Sequence, residues 1–255
     1  MEDSCGARAV DRALRLLKCF SFEQREMSLA DLRKAVGLPK TTVLRLITSL
    51  ENEGFLVRDR LTQKYRLGII LFQLGNIVFS NLDLRRIALP VMEELSRKTG
   101  ETINLNICHG NSRLCIEKIE GSHDLRQFVE VGKSLPLYKG ASGKTLLAHL
   151  PDKEKERVLA EAGDLNKSVL EVLGELETIK KNGCGISRDE RVTGAAAVSA
   201  PIFNHQGKVV AAITISGATV RFTDDRVEYF VRLITDAARV ISSSLGFRGQ
   251  VVTKG

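Results

Sequence analysis

Between Ser28 and Asn52 the chain reads SLADLRKAVGLPKTTVLRLITSLEN, and its second half carries Lys40, Thr41, Thr42, Arg45 and Thr48 with no acid before Glu51. At helical spacing these five residues share one side of a helix. Cations there can neutralise phosphates, and an arginine beside hydroxyls can hydrogen-bond base edges. A second basic set, Arg58, Arg60, Lys64 and Arg66, follows closely. The chemistry offered is recognition of a polyanion.

Other residues invite a chemical reading and fit it poorly. Gly140-Ala141-Ser142-Gly143-Lys144-Thr145 resembles a phosphate-binding P-loop, but the first glycine of that signature would stand at Tyr138. No nucleotide cofactor is therefore expected. Two milder readings stay open: a Gly/Ser loop whose N–H groups hold a carboxylate or phosphate, or a plain turn into a helix. The cysteines at 5, 19, 108, 115 and 184 contain no C-x-x-C pair, and Cys108-His109 with Cys115 matches no ligand spacing, so no metal is expected. His109, His123, His149 and His205 are scattered, and none stands beside a serine or cysteine in a catalytic pattern. An enzyme is the weaker reading.

The elements needed to position the basic surface are legible. Ser28 and Asp31 suit a capping box, and Leu29, Leu32 and Val36 give the first helix an apolar face. Gly37 ends it, and Pro39 suits the first turn of the next helix. Val43, Leu46, Ile47 and Leu50 form that helix's buried stripe. Gly54 then stops it. Strand-like runs at Phe55–Val57 and Tyr65–Leu67 flank a polar connector, a wing. Upstream, Val10, Ala13, Leu14, Leu17 and Phe20 predict a third helix. An ordinary αα-hairpin is the alternative; the wing favours a winged helix-turn-helix.

Ile69 to Ser80 (IILFQLGNIVFS) is apolar on every side and predicts a helix buried on more than one face. Packing on a second copy of itself is the favoured reading, packing within the larger domain the other. Beyond it the pattern changes. Asp83 can cap a helix carrying Leu84, Ile87, Val91 and Leu95. Strands are predicted at Thr102–Cys108, Leu114–Ile119, Gln127–Val131, Ala195–Phe203 and Lys208–Ser216. Helices are predicted over 141–149, 152–162 and 168–182, with a last one capped by Thr223 and running to Leu245. Hairpins interleaved with helices imply an α+β domain built on an antiparallel sheet with helices on its faces.

The totals agree. The 255 residues allow two domains, and the net charge of +7 favours an acidic partner. Residues 1–80 hold 13 Lys and Arg against 9 Asp and Glu, a modest excess that must act by placement. The chain begins Met-Glu-Asp-Ser and shows no apolar run of the ~20 residues a bilayer requires, so a soluble cytoplasmic protein without a membrane partner is expected.

The chain resembles the IclR family of bacterial transcriptional regulators from Arg8 to Leu245. The resemblance is carried by Ala9–Leu14 (AVDRAL), Gly37–Leu46 (GLPKTTVLRL), Gly54-Phe55-Leu56, Gly100–Leu105 (GETINL), Ser142–Ala148 (SGKTLLA), Ala200–Phe203 (APIF) and Lys208–Gly217 (KVVAAITISG). It implies a winged helix-turn-helix DNA-binding domain over 1–68, a linker helix over 69–82 and a GAF-like effector-binding domain over 83–255. It also implies homodimers or tetramers on palindromic operators of double-stranded DNA, and a small organic acid or aromatic effector. By position, the effector contacts would be the N–H groups of Ala141 and Ser142, with Ser187, Ala197, Thr214 and Ser216. Family members that bind glyoxylate or pyruvate carry an acid where this chain has Ser187 and a cysteine where it has Ala197. Both departures point away from a two-carbon acid and towards a larger ligand. Thr214 and Ser216, two apart on a strand, are open to a second role in satisfying buried hydrogen bonds.

Overall fold

The computed structural model describes residues 7–80, 83–123, 130–163, 165 and 167–249. The chain divides into two compact units, Met1–Leu82 and Asp83–Gly255.

The first unit holds helices α1 (Ala7–Leu17), α2 (Leu29–Val36) and α3 (Lys40–Asn52), a hairpin of β1 (Leu56–Arg58) and β2 (Tyr65–Leu67), and helix α4 (Ile69–Ser80). The Ser28 hydroxyl accepts the Asp31 N–H at 3.2 Å and Asp31 accepts the Ser28 N–H at 3.0 Å, a reciprocal cap on α2. Gly37 closes α2 at φ 67°, a left-handed conformation that favours glycine. Leu32, Val36, Val43, Ile47, Leu50, Leu56 and Tyr65 make the core with Leu16 and Met27. Here α1 departs from expectation. Leu16 is fully buried, whereas Val10 and Leu14 are 59% and 49% exposed. The helix turns Ala13, Leu16 and Leu17 inward, a face rotated from the one the apolar spacing favoured.

The second unit is built on a six-stranded antiparallel sheet, β5-β4-β3-β8-β7-β6. Its strands are β3 (Thr102–His109), β4 (Ser112–Ile119), β5 (Ser134–Pro136), β6 (Gly185–Arg188), β7 (Ala195–Phe203) and β8 (Val209–Ala218). Helices α5 (Asp83–Thr99) and α9 (Asp224–Ser244) pack on each other, with α5 on β3 and α9 on β7 and β8. Helix α6 (Ala141–Ala148) packs on β7, β8 and helix α8 (Val169–Asn182), with α7 (Asp152–Ala160) completing that layer. Ala212 of β8 belongs to the α6–α8 core with Leu147, Leu159 and Leu176. Strand alternation therefore sends Thr214 and Ser216 to the same face as Ala212, and Ile213 and Ile215 to the other.

Three expectations are corrected, and one strand is added. Of the strand expected at Gln127–Val131, residues 127–129 lie outside the described residues, and Glu130 and Val131 are not in a strand. The strand of that region is β5, an edge partner of β4, where Pro136 is tolerated. Strand β6 was not expected; four residues on an edge carry little pattern. Thr223 stands at the N-cap of α9, but its side chain accepts no hydrogen bond there. Asp83 is the first residue of α5, an acid in the first turn where it meets the helix dipole favourably.

Candidate functional sites

Helix α3 begins directly after Pro39, which offers no side-chain acceptor to the first-turn N–H groups. Those donors remain for an anion. Lys40, Thr41, Arg45 and Thr48 are exposed and Thr42 is half-buried, while Val43, Ile47 and Leu50 are buried behind them. Neither Lys40 nor Arg45 has an ion pair or hydrogen bond with another described side chain. The wing is closed by Asp59, whose carboxylate accepts the N–H groups of Leu61 at 2.9 Å and Thr62 at 2.7 Å. Arg58 lies over the Tyr65 ring at 5.5 Å, and Arg60 and Lys64 stand exposed on the connector.

In the second unit, Ala141, Ser142, Ser187, Ala197, Thr214 and Ser216 line one concavity that encloses about 40 Å³ of free space. Register explains their meeting. Ser187 pairs with Ala197 across β6 and β7, and Ala197 with Ser216 across β7 and β8, so the three side chains stand in a row on the α6 face. Thr214 stands between Asn104 of β3 and Ser199 of β7, a second row beside the first on the same face.

The loop into α6 is arranged unlike a phosphate cradle. A Cβ on Gly143 would lie 2.5 Å from the Leu137 carbonyl oxygen, so close packing demands glycine there. Lys144 is buried and its Nζ donates to Glu190 at 2.5 Å and Glu175 at 2.9 Å. The Ala141 N–H donates to Ser187 Oγ at 3.0 Å and the Gly140 N–H to Glu190 at 3.1 Å. Thr214 and Ser216 do have internal partners: Thr214 Oγ1 lies 2.9 Å from Ser199 Oγ, and Ser216 Oγ accepts from Asn104 Nδ2 at 2.8 Å.

The cavity also contains Asn104, Asn106, Arg113, Glu190 and Arg191, none of which sequence reasoning selected. Asn104 and Asn106 carried the same signal as Thr214 and Ser216, polar residues alternating with Ile103 and Leu105 in a buried strand. Arg113 gave no signal, since an arginine after a hairpin turn reads as solvated. Three side-chain atoms of this cavity are buried without a hydrogen-bond partner: Asn104 Oδ1, Arg113 Nε and Ser142 Oγ. Burial, and then the Arg191 charge nearby, push the Arg113 pKa down to about 10. Burial also lowers that of Arg191. Unsatisfied polar atoms gathered in one concavity are what a ligand with matching groups would complete.

Among the described residues no helix is long and apolar enough to cross a membrane, and no cluster of metal-ligating side chains is found. Cys19, Cys108, Cys115 and Cys184 are free thiols. Cys5 lies outside the described residues.

A winged helix-turn-helix in one unit and a sheet with a polar concavity in the other define a ligand-responsive DNA-binding protein. The IclR helix-turn-helix domain model matches residues 9–60, and that of the bacterial transcriptional regulator IclR C-terminal domain matches residues 77–243. The HTH-type transcriptional regulator KipR of Bacillus subtilis is 37% identical over 246 residues, covering 94% of this chain and 98% of KipR. The solved IclR transcriptional regulator of Alicyclobacillus acidocaldarius superposes with a TM-score of 0.82 at 27% identity, covering 94% of this chain and 99% of the other. An IclR homologue from Microbacterium hydrocarbonoxydans, solved with 4-hydroxybenzoate, gives a TM-score of 0.79 at 24% identity over 93% and 98% of the two chains. The chain belongs to the IclR family of bacterial transcriptional regulators, and it acts as a DNA-binding regulator rather than as an enzyme.

Proposed function

We propose that residues 1–68 bind a palindromic operator in double-stranded DNA, that residues 69–82 link two such modules in a homodimer or tetramer, and that residues 83–255 take a small organic effector in the cytoplasm. On α3, Arg45 and Thr41 approach base edges with Thr42 and Thr48 beside them, while Lys40, Arg58, Arg60 and Lys64 hold phosphates. The effector fills the cavity between α6 and β6–β8, with Ala141, Ser142, Ser187, Ala197, Thr214 and Ser216 in its wall. It controls the regulator by favouring one arrangement of the paired recognition helices. The Microbacterium homologue's 4-hydroxybenzoate is a precedent for an organic acid in this family.

One observation carries the DNA reading: Lys40 and Arg45 stand exposed on an acid-free helical face with no described partner, backed by a buried apolar stripe. The test is selection of duplexes from a random library by the full chain in dilute salt, followed by mobility shifts. Enrichment of an inverted repeat whose binding is abolished in Arg45→Glu is the expected result. No shift of any duplex, or binding that survives the substitution, would refute the assignment.

A further inference from the structure

Resting on the reading that this cavity takes the effector, we infer that Arg113 and Arg191 form its acid-recognising end, and that the ligand is an aliphatic hydroxycarboxylate. Its carboxylate bridges the two guanidiniums, and its hydroxyls meet Asn104 Oδ1 and Ser142 Oγ.

The first support is the treatment of charge elsewhere in the unit. Buried Glu101 is held by Arg221 at 2.6 and 2.7 Å, buried Lys144 by two glutamates, and buried Lys155 by Asp152 at 3.1 Å. Arg113 is 8% exposed, and its guanidinium has no ion pair or hydrogen bond with a described residue. A desolvated, unpaired cation is costly, and a second cation beside it adds to the cost. Both costs are offset when an anion arrives. The second support is position. Arg113 Nη2 lies 3.6 Å from where a Cβ on Gly140 would stand, so its guanidinium reaches the start of α6.

The third support is the partial loss of the alternative: of the two amides expected to hold an acid, Ala141 and Ser142, that of Ala141 is already engaged. The N–H groups of Gly140 and Ala141 are already bonded to Glu190 and Ser187, which leaves the first turn of α6 with fewer amides to offer a ligand. A carboxylate is better held by two guanidiniums than by amides that must first surrender their partners. The rest of the wall favours hydroxyls over an aromatic ring. Asn104 Oδ1 lacks a donor, and Ser142 Oγ lacks any partner.

Calorimetry on the full-length protein decides the matter. The probes are glycerate, tartrate and gluconate, with glycerol, threitol and sorbitol as uncharged counterparts and 4-hydroxybenzoate as the aromatic acid. At least one hydroxy acid binds, its polyol does not, and its affinity falls tenfold or more in both Arg191→Met and Arg113→Met. A purely structural arginine would lose stability on substitution; here unliganded Arg113→Met melts no lower than the wild type, because it removes an unpaired buried cation. Failure of every hydroxy acid to bind, equal binding of a polyol, tighter binding of 4-hydroxybenzoate, or unchanged affinity in the arginine variants overturns the proposal. Ser216→Leu, which fills the cavity, separates the two ideas. Binding lost in Ser216→Leu but kept in the arginine variants rejects only the clamp. Binding kept in Ser216→Leu places the ligand elsewhere and rejects both.

Discussion

Ser187 Oγ accepts the Ala141 N–H at 3.0 Å, joining the edge strand β6 to the first turn of α6. The bond spends inside the protein a donor that a ligand could otherwise use. Any effector that takes the Ala141 amide must displace the serine.

Ser187→Ala therefore leaves a buried N–H without a partner. The expected cost is about 1–3 kcal/mol, the usual penalty for an unsatisfied buried donor. For a unit of this size each kcal/mol lowers Tm by roughly 2–4 °C. A melting scan of the unliganded variant measures it. A variant as stable as the wild type would show that water or a shifted loop replaces the hydroxyl.

On α3 the roles of two cations separate by experiment. Arg45 faces solvent in the middle of the helix and Lys40 at its start, both without a described partner. Arg45→Ala should cost ~1–3 kcal/mol against the selected operator and narrow the gap between operator and random duplex. Lys40→Ala should weaken all duplexes alike and reduce the salt dependence by about one unit of slope. Equal effects on operator and random DNA from both substitutions would assign both to the backbone.

Much of this arrangement was readable from residues alone, because each local signal agreed with its neighbours. The capping box at Ser28, the stop at Gly37 and the apolar stripe from Val43 to Leu50 each named the same boundaries, and Ile69–Ser80 emerged with the limits its composition set. What failed was weak or non-local. Two apolar residues of α1, Val10 and Leu14, satisfied helical spacing yet stay exposed, since spacing does not tell which of two adjacent faces meets a partner. Six cavity residues were reached through family likeness, whereas Arg113 was invisible. Its burial depends on β5 and the loop before α6 closing over β4, contacts distant in sequence.

His149 supplies a pH dependence. Its ring lies edge-on to Phe203, with centroids 5.7 Å apart, and Nδ1 donates to the Thr145 carbonyl at 2.9 Å. Burial pushes its pKa below the ordinary histidine value, against the opposing pull of that bond. The unfolded chain therefore takes up the proton first, near pH 6.5. Stability from the neutral ring is complete above that pH and is lost as pH falls towards the folded value, with a slope of at most about 1.4 kcal/mol per unit. Urea midpoints measured from pH 7.5 to 5 should fall in the wild type and flatten in His149→Gln. Parallel curves would assign the acid sensitivity to other groups.

Helix α4 leaves Ile69, Phe72 and Ile77 exposed by 70, 64 and 59%. Side chains of this size are worth about 1.5–3 kcal/mol each when fully buried. An apolar stripe of this kind usually marks an association surface. We propose a second copy of the same helix as its occupant, since a closed two-fold contact would pair two recognition helices as an inverted repeat requires. Phe72→Asp places a charge in that contact. Sedimentation of the wild type should give a dimer or tetramer, and the variant should shift to smaller species while its far-ultraviolet circular dichroism is retained. The same variant should lose affinity for a full operator far more than for a half-site, because only the former needs both modules joined. A variant that sediments like the wild type would move the association surface off α4.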